Sequence, residues 1–231
     1  MSLVNDRPQH CLPGVPQPVR VTSHHDSPDS TSYKLMWDEP DDGGSPLIKY
    51  NIRYCEVKII PDRTVYELST YLTPFESVDN ILPSAVSYEL SPLIPGRYYL
   101  VEIQAIHTQG QSLKSFIFKT KEGVPQPVQV RSHRDSPDST SYQLMWDKPD
   151  DGGSLIIKYI IQYCEMKISL NGTEYELMKP LNPLEISPSD ESYTLSSLKP
   201  GSFYQVEVQA VNTMGMSSKM FIFKTKERAH E

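Results

Sequence analysis

The stretch that decides the fold reads DSPDSTSYKLMWD at residues 26–38, and it returns at residues 135–147 with a single change. Within it, the large side chains of Tyr33, Leu35 and Trp37 alternate with residues that can face solvent. This period of two is the pattern of a β-strand that buries one face. The sequence therefore predicts the same half-buried strand twice.

The repetition extends well beyond this strand. Trp37 and Trp146 lie 109 residues apart, and Cys55 and Cys164 are separated by the same distance. A repeating unit of this length is a whole domain, because the units of solenoid proteins are much shorter. We therefore expect a loose N-terminal tail at residues 1–13, a first domain at 14–122 and a second domain at 123–231.

Several more short strands follow in each repeat, and turn-forming residues separate them. Alternating patterns begin at Tyr99 and again at Tyr204, and the turn motif DDGGS occurs at residues 41–45 and 150–154. Apolar spacing typical of a helix does not extend over ten residues anywhere in the chain. Short alternating strands with turns between them predict an all-β fold built from two β-sandwiches.

Two further stretches carry a family resemblance. LIPGRYY at residues 93–99 and LKPGSFY at 198–204 share the pattern Leu-x-Pro-x-x-x-Tyr. Together with the tryptophan strand and the Asp-Gly-rich turn that follows it, this pattern resembles the fibronectin type III family, twice, over residues 14–231. The resemblance implies two tandem, immunoglobulin-like sandwiches of seven strands each, without the disulfide of immunoglobulin domains.

The family also implies roles for four aromatic residues. The tryptophans and the corner tyrosines are expected in the cores, and each tyrosine hydroxyl should hold the crossover between the two sheets. These structural residues are Trp37, Tyr99, Trp146 and Tyr204.

A narrower resemblance bears on function. PDDGGSPLIKY at residues 40–50 and FKT at 118–120 resemble the membrane-proximal repeats of neural cell adhesion molecules of the immunoglobulin superfamily. This implies a non-catalytic segment of a larger, membrane-anchored adhesion receptor at the cell surface. We expect such a segment to bind other proteins through homophilic or lateral contacts. It should also act as a semi-rigid spacer, because only residues 121–123 separate the last strand of one domain from the next domain.

Two other functions remain open from the sequence. One is an intracellular, cytoplasmic scaffold of the sarcomeric type, which the unpaired cysteines favour. The other is a ligand-binding ectodomain of the cytokine-receptor type. The short linker and the absence of a cysteine pair within either domain make the second less consistent with the sequence.

Composition excludes several classes of partner. The formal net charge of −7 is not accompanied by a basic face, so nucleic acids and anionic membranes are poor partners. No apolar run approaches the roughly 20 residues that span a bilayer. The first residues lack a secretory signal, and we expect the chain to be a piece of a larger protein.

Catalytic and metal-binding motifs are absent from the sequence. It contains no nucleophile elbow, no HExxH motif and no phosphate-binding glycine loop. His24 and His25 suggest a metal site, but the second repeat replaces His25 with Arg134, which is no ligand. The acidic residues 38–42 lack the spacing of a calcium loop. We therefore expect no enzyme, no cofactor, no metal and no small-molecule substrate.

Four residues remain as candidates for modification or contact. Asn171 begins an Asn-Gly-Thr sequence, which is both a glycosylation acceptor and a two-residue hairpin turn. Cys55 and Cys164 fall on outward strand positions, where they would be either free, partly shielded thiols or links between chains. Ile160 is outward where the first repeat has Asn51, and with Ile222 it could form a contact patch.

The repeats also depart from each other. His107 occupies the position of Asn212, a residue that the family usually places there, so we expect the neighbouring turn to be held differently in the first repeat. The first repeat is also four residues longer, since Leu68 and Leu93 are 25 positions apart whereas Leu177 and Leu198 are 21 positions apart. We expect this extra length to form a surface loop or an irregular sheet edge.

Overall fold

The computed structural model describes residues 17–41, 44–59, 68–168, 175–178 and 183–228. The chain divides into two compact units, Met1–Lys121 and Glu122–Glu231, which are called domain 1 and domain 2 below. All regular secondary structure in the described residues is β-strand. The predicted all-β fold is therefore confirmed.

Domain 1 consists of two antiparallel sheets. A small sheet has the strand order β1-β2-β6, and a larger one has the order β4-β3-β7-β8, with β5 pairing beside β4 on β3. The strands are β1 (Arg20–Val21), β2 (Tyr33–Asp38), β3 (Leu47–Ile59), β4 (Leu68–Tyr71), β5 (Glu76–Ile81), β6 (Ser87–Leu90), β7 (Tyr98–His107) and β8 (Gly110–Lys119).

Domain 2 repeats this arrangement. Its small sheet has the order β14-β10-β9, and its larger sheet has the order β12-β11-β15-β16, with β13 pairing on β11. The strands are β9 (Gln129–Val130), β10 (Tyr142–Asp147), β11 (Lys158–Ile168), β12 (Tyr175–Leu177), β13 (Leu184–Ile186), β14 (Ser192–Leu195), β15 (Phe203–Asn212) and β16 (Gly215–Lys224).

The number of strands differs from the expected seven because one edge strand is broken in two. In domain 1, β4 and β5 both pair with β3, at opposite ends of it. Pro74 lies between them and has no N–H to donate to a sheet ladder. β5 spans six residues against three in β13, so the extra length of the first repeat lies at a sheet edge.

Each core fills the space between its two sheets. Trp37 and Trp146 are 2% and 0% exposed, and each packs edge-on against a buried tyrosine, Tyr50 or Tyr159, at ring-centroid distances of 5.2 and 5.3 Å. The alternation read from β2 and β10 is visible directly, since their inward residues are buried and their outward ones are not. The repeated stretch thus forms the centre of each domain.

The corner tyrosines have the same geometry in both domains. The hydroxyl of Tyr99 accepts the backbone N–H of Ile94 at 2.9 Å, and the hydroxyl of Tyr204 accepts that of Lys199 at 2.9 Å. Both rings are buried, at 6% and 5% exposure. Each bond fixes the segment that leads from one sheet into the other.

Removal of either hydroxyl should weaken only the domain that contains it. We expect Tyr99→Phe and Tyr204→Phe to lower the free energy of unfolding of that domain by about 1–2 kcal/mol, because the partner N–H loses its acceptor. Urea unfolding of each variant measures the loss. A midpoint equal to that of the unchanged chain would show that the corner bond contributes nothing.

The turn after β15 is held by a side chain that differs between the domains. In domain 2, Nδ2 of Asn212 lies 2.8 Å from the carbonyl oxygen of Gly123 and 2.9 Å from that of Asp151, and Oδ1 accepts the N–H groups of Met214 and Gly215. In domain 1, the buried His107 donates from Nδ1 to the carbonyl oxygen of Ser45 at 2.7 Å. The two turns are therefore held by different bonds.

The start of domain 2 packs closely against a glycine turn. Gly152 has a φ of +68°, and a Cβ at this position would lie 2.5 Å from the carbonyl oxygen of Gly123. Only glycine accepts both the positive φ and the close approach. The backbone that opens domain 2 is thereby fixed against the turn between β10 and β11.

Candidate interaction surface

The outward face of the larger sheet of domain 2 is the main candidate surface. Strand alternation places every second residue of β11, β15 and β16 on this face. The edge strand β16 contributes three apolar side chains to it, and they are 57%, 60% and 43% exposed. These three residues, Met216, Met220 and Ile222, are called the β16 stripe.

The matching face of domain 1 is more polar at two of these positions. The corresponding residues of β8 are Gln111, Ser115 and Ile117, and Ile117 is only half-exposed. Glu102 lies in the middle of this face, opposite Arg53 on one side and Ser115 on the other. It forms an ion pair with Arg53 and accepts a hydrogen bond from the Ser115 hydroxyl at 3.4 Å.

The two cysteines are free thiols, and they are shielded more completely than their outward strand positions suggested. Cys55 is 2% exposed and Cys164 is 7% exposed. Strand alternation does place Cys55 on the outward side of β3, but a second apolar cluster forms there with Val57 and Leu100 and is packed by Phe75. Such buried sulfurs cannot reach a thiol of a second folded chain.

Burial also controls the reactivity of the thiols. It raises the pKa of both Cys55 and Cys164 above the usual range, so little thiolate forms near neutral pH. We expect a thiol reagent to label both at least about a hundredfold more slowly in the native protein than in urea, since labelling requires local opening. A Cys11→Ser variant removes the third thiol from the measurement. Rapid native labelling of two thiols would contradict the burial.

The predicted contact patch of Ile160 and Ile222 is also wrong. Ile160 is half-buried and lies opposite Gln209 of β15, whereas Ile222 lies opposite Gln205. The two isoleucines therefore flank β15 on different sides and are offset along it. On the outward face of domain 2, the three exposed apolar residues of the β16 stripe share one strand.

The two remaining residues considered from the sequence are the candidate glycosylation site Asn171 and the candidate metal ligand His25. Asn171 lies outside the described residues, so its glycosylation stays a prediction. The ring of His25 stacks on Phe116 with 4.4 Å between centroids, and its Nδ1 donates to the carbonyl oxygen of Ile117. That contact accounts for the histidine in the loop before β2.

The described residues contain neither a candidate metal-binding group nor a candidate membrane helix. Within them, no three His, Cys, Asp or Glu side chains gather into a group that could hold a metal ion. The same part of the chain contains no helix long and apolar enough to cross a membrane.

Comparison with protein families gives a match to both domains. The model described as "Fibronectin type III domain" matches residues 15–121 and again residues 125–223. Type III domains are in general non-catalytic structural modules. The match extends over most of the chain and includes the tryptophan strand and the corner motif of each repeat.

Curated relatives include proteins named as an adhesion molecule and as a phosphatase. Neural cell adhesion molecule 1-B of Xenopus laevis is 27% identical over 83% of this chain and 16% of its own length. Neuroglian of Drosophila melanogaster is 33% identical over 47% of this chain and 8% of its own. The human phosphatidylinositol phosphatase PTPRQ is 24% identical over 86% of this chain and 8% of its own.

The chain thus spans less than a fifth of the length of these relatives. Among solved structures, a two-domain type III segment of chicken tenascin is 18% identical, with 91% of this chain and 99% of that chain covered, at a TM-score of 0.36. The two matches of the family model decide the assignment. The chain belongs to the fibronectin type III family and contains two type III domains in tandem.

Proposed function

We propose that this chain is a non-catalytic segment of a cell-adhesion receptor, located in the ectodomain, where it spaces neighbouring domains and binds proteins. The relative that is named as a neural cell adhesion molecule supports this role. The observation that carries the spacer function is the bonding of the backbone at the domain boundary.

Both sides of the boundary are tied to their own domain. The N–H of Lys121 donates to the carbonyl oxygen of Asp29 at 3.1 Å, and its carbonyl oxygen accepts the N–H of Gly96 at 2.9 Å. On the other side, the N–H of Gly123 donates to the carbonyl oxygen of Gly152 at 2.9 Å.

Glu122 is the one residue between these two anchored positions. A segment this short lacks the length of a flexible linker, whose reach grows with the number of free residues. We infer that the joint is stiff.

Nitrogen-15 relaxation measures this stiffness directly. With a stiff joint, the amides of both domains report one common rotational correlation time, close to that of a particle of the full mass. A variant with ten Gly and Ser residues inserted after Glu122 should give two shorter times. If the unchanged chain already shows the shorter times, it is a flexible tether and the spacer function is wrong.

The buried cysteines bear on the extracellular location. Unpaired cysteines favour a reducing compartment when they are exposed, but Cys55 and Cys164 are buried and their pKa is raised by burial. An oxidising compartment is therefore compatible with both thiols remaining reduced. These two cysteines therefore no longer favour an intracellular scaffold over an ectodomain.

Secretion from cultured cells behind a signal peptide tests the location. We expect secreted protein with two unmodified buried thiols and a glycan mass that disappears in an Asn171→Gln variant. Retention in the cell as disulfide-linked aggregates would contradict an ectodomain function.

A further inference from the structure

A half-buried carboxylate without a partner lies at the centre of the outward face of domain 2. Glu207 is opposite Gln162 of β11 and opposite Met220 of β16. Neither neighbour carries a charge. Glu207 forms no ion pair or hydrogen bond with any residue that the structure describes.

In domain 1, the corresponding carboxylate has partners within its own sheet. Glu102 holds the position of Glu207, Arg53 that of Gln162, and Ser115 that of Met220. The Glu102 side chain is 12% exposed and is paired with Arg53. Domain 2 has therefore kept the glutamate but not its two partners. The neutral Gln162 replaces the arginine, and the apolar Met220 replaces the serine.

Among the lysines that the structure describes near Glu207, none takes the place that Arg53 has beside Glu102 in domain 1. Lys158 is paired with Glu185. Lys219 is next to Met220 in sequence, so strand alternation directs it to the other side of β16. A partially desolvated carboxylate beside apolar side chains attracts a cation more strongly than one in water does.

The β16 stripe places exposed apolar surface on one side of this acid. Met220 is directly opposite Glu207, and Met216 and Ile222 lie farther along the same strand. β16 is also the last strand of its sheet. Its backbone at Lys224 already bonds to Arg134 and Ser136, and an extended segment can add as a further strand along the part of β16 that precedes Lys224. Apolar surface on the edge strand thus lies beside an unpaired negative charge on the neighbouring strand.

We propose that this face binds an extended segment of a partner protein that presents an arginine to Glu207 and apolar side chains to the β16 stripe. Arginine fits better than lysine because its planar guanidinium pairs with a carboxylate in two parallel hydrogen bonds and packs on flat apolar surface. The inference rests on the proposed protein-binding function and names the surface that performs it.

A peptide titration with the whole chain tests the proposal. The probe is a capped nine-residue peptide in which threonine and leucine alternate around a central arginine. Two control peptides carry glutamine or glutamate at the centre. Amide chemical shifts of the protein report both the affinity and the strands that are contacted.

We expect shifts confined to β11, β15 and β16, and an affinity about tenfold higher for the arginine peptide than for the glutamine peptide. Gln162→Arg should abolish this preference, because it rebuilds the pair of Arg53 and Glu102 inside domain 2. The variant copies a residue that domain 1 already accommodates, so the fold is retained. Glu207→Gln should also remove the preference for arginine.

Several results would overturn the inference. These are equal affinity for the three peptides, shifts that fall equally on domain 1, and a preference for arginine that survives Gln162→Arg. Sedimentation of the peptide-free chain tests whether a second copy of this chain binds the face instead. Self-association that Gln162→Arg abolishes would assign the face to a second copy and not to a partner protein. None of these results affects the relaxation test of the spacer function, so the two proposals fail separately.

Discussion

Trp146→Ala should destabilise domain 2 by about 3–5 kcal/mol and leave the unfolding of domain 1 unchanged. Trp146 has no exposed surface and packs against Tyr159, so its removal leaves a large cavity in a single core. A loss of this size is a large part of the stability of one domain.

Each domain contains one of the two tryptophans of the sequence, so fluorescence can follow one domain separately from the other. In Trp146→Ala, the remaining Trp37 reports only on domain 1 by fluorescence, while far-ultraviolet circular dichroism reports on both domains. We expect a Trp37 midpoint in urea equal to that of the unchanged chain, and an earlier second transition. Trp37→Ala is the matched control with the domains exchanged. A parallel shift of both transitions would mean that the repeats unfold as one unit.

Asn212→Ala is the second change with a large expected effect, about 3 kcal/mol on domain 2. The side chain satisfies carbonyl groups on one side and the N–H groups of Met214 and Gly215 on the other. Alanine leaves several of these groups without a partner, and each buried one costs about 1–3 kcal/mol.

His107→Ala in domain 1 is the matched control. His107 has one hydrogen bond, to the carbonyl oxygen of Ser45, among the bonds described for it. We therefore expect a smaller loss than for Asn212→Ala. The stability losses of the two variants are measured by hydrogen exchange at increasing urea concentrations, followed in proteolytic peptides that contain β7 or β15. Equal losses would show that the asparagine network has no special role in the turn.

The cores could be predicted because their signals are local. Alternation around Trp37 and Trp146 determines which face of each strand is buried, and the corner motif places Tyr99 and Tyr204 by spacing alone. Both signals depend on residues within one strand or one short connection. No knowledge of distant contacts is needed to use them.

The errors arose where contacts between distant segments decide the outcome. Alternation correctly placed Cys55 on the outward side, but it could not show that Phe75 packs over that side. The separation of Ile160 from Ile222 follows from the register of β11 and β16 against β15, which alternation does not supply.

Two features were missed although a signal existed. Pro74 indicated a break in the edge strand, because a proline cannot donate within a ladder. The pairing of Arg53 with Glu102 becomes significant when the repeats are aligned, since Gln162 replaces the arginine while Glu207 remains. Differences between near-identical repeats can therefore indicate where one copy has acquired its own partner.

We infer that each repeat is a complete type III domain with its own core. The most direct test compares amide spectra of residues 14–122 and 123–231, each produced alone, with the spectrum of the whole chain. We expect superimposable, well-dispersed signals, apart from those of residues close to Glu122. Collapsed dispersion in either isolated half would contradict it.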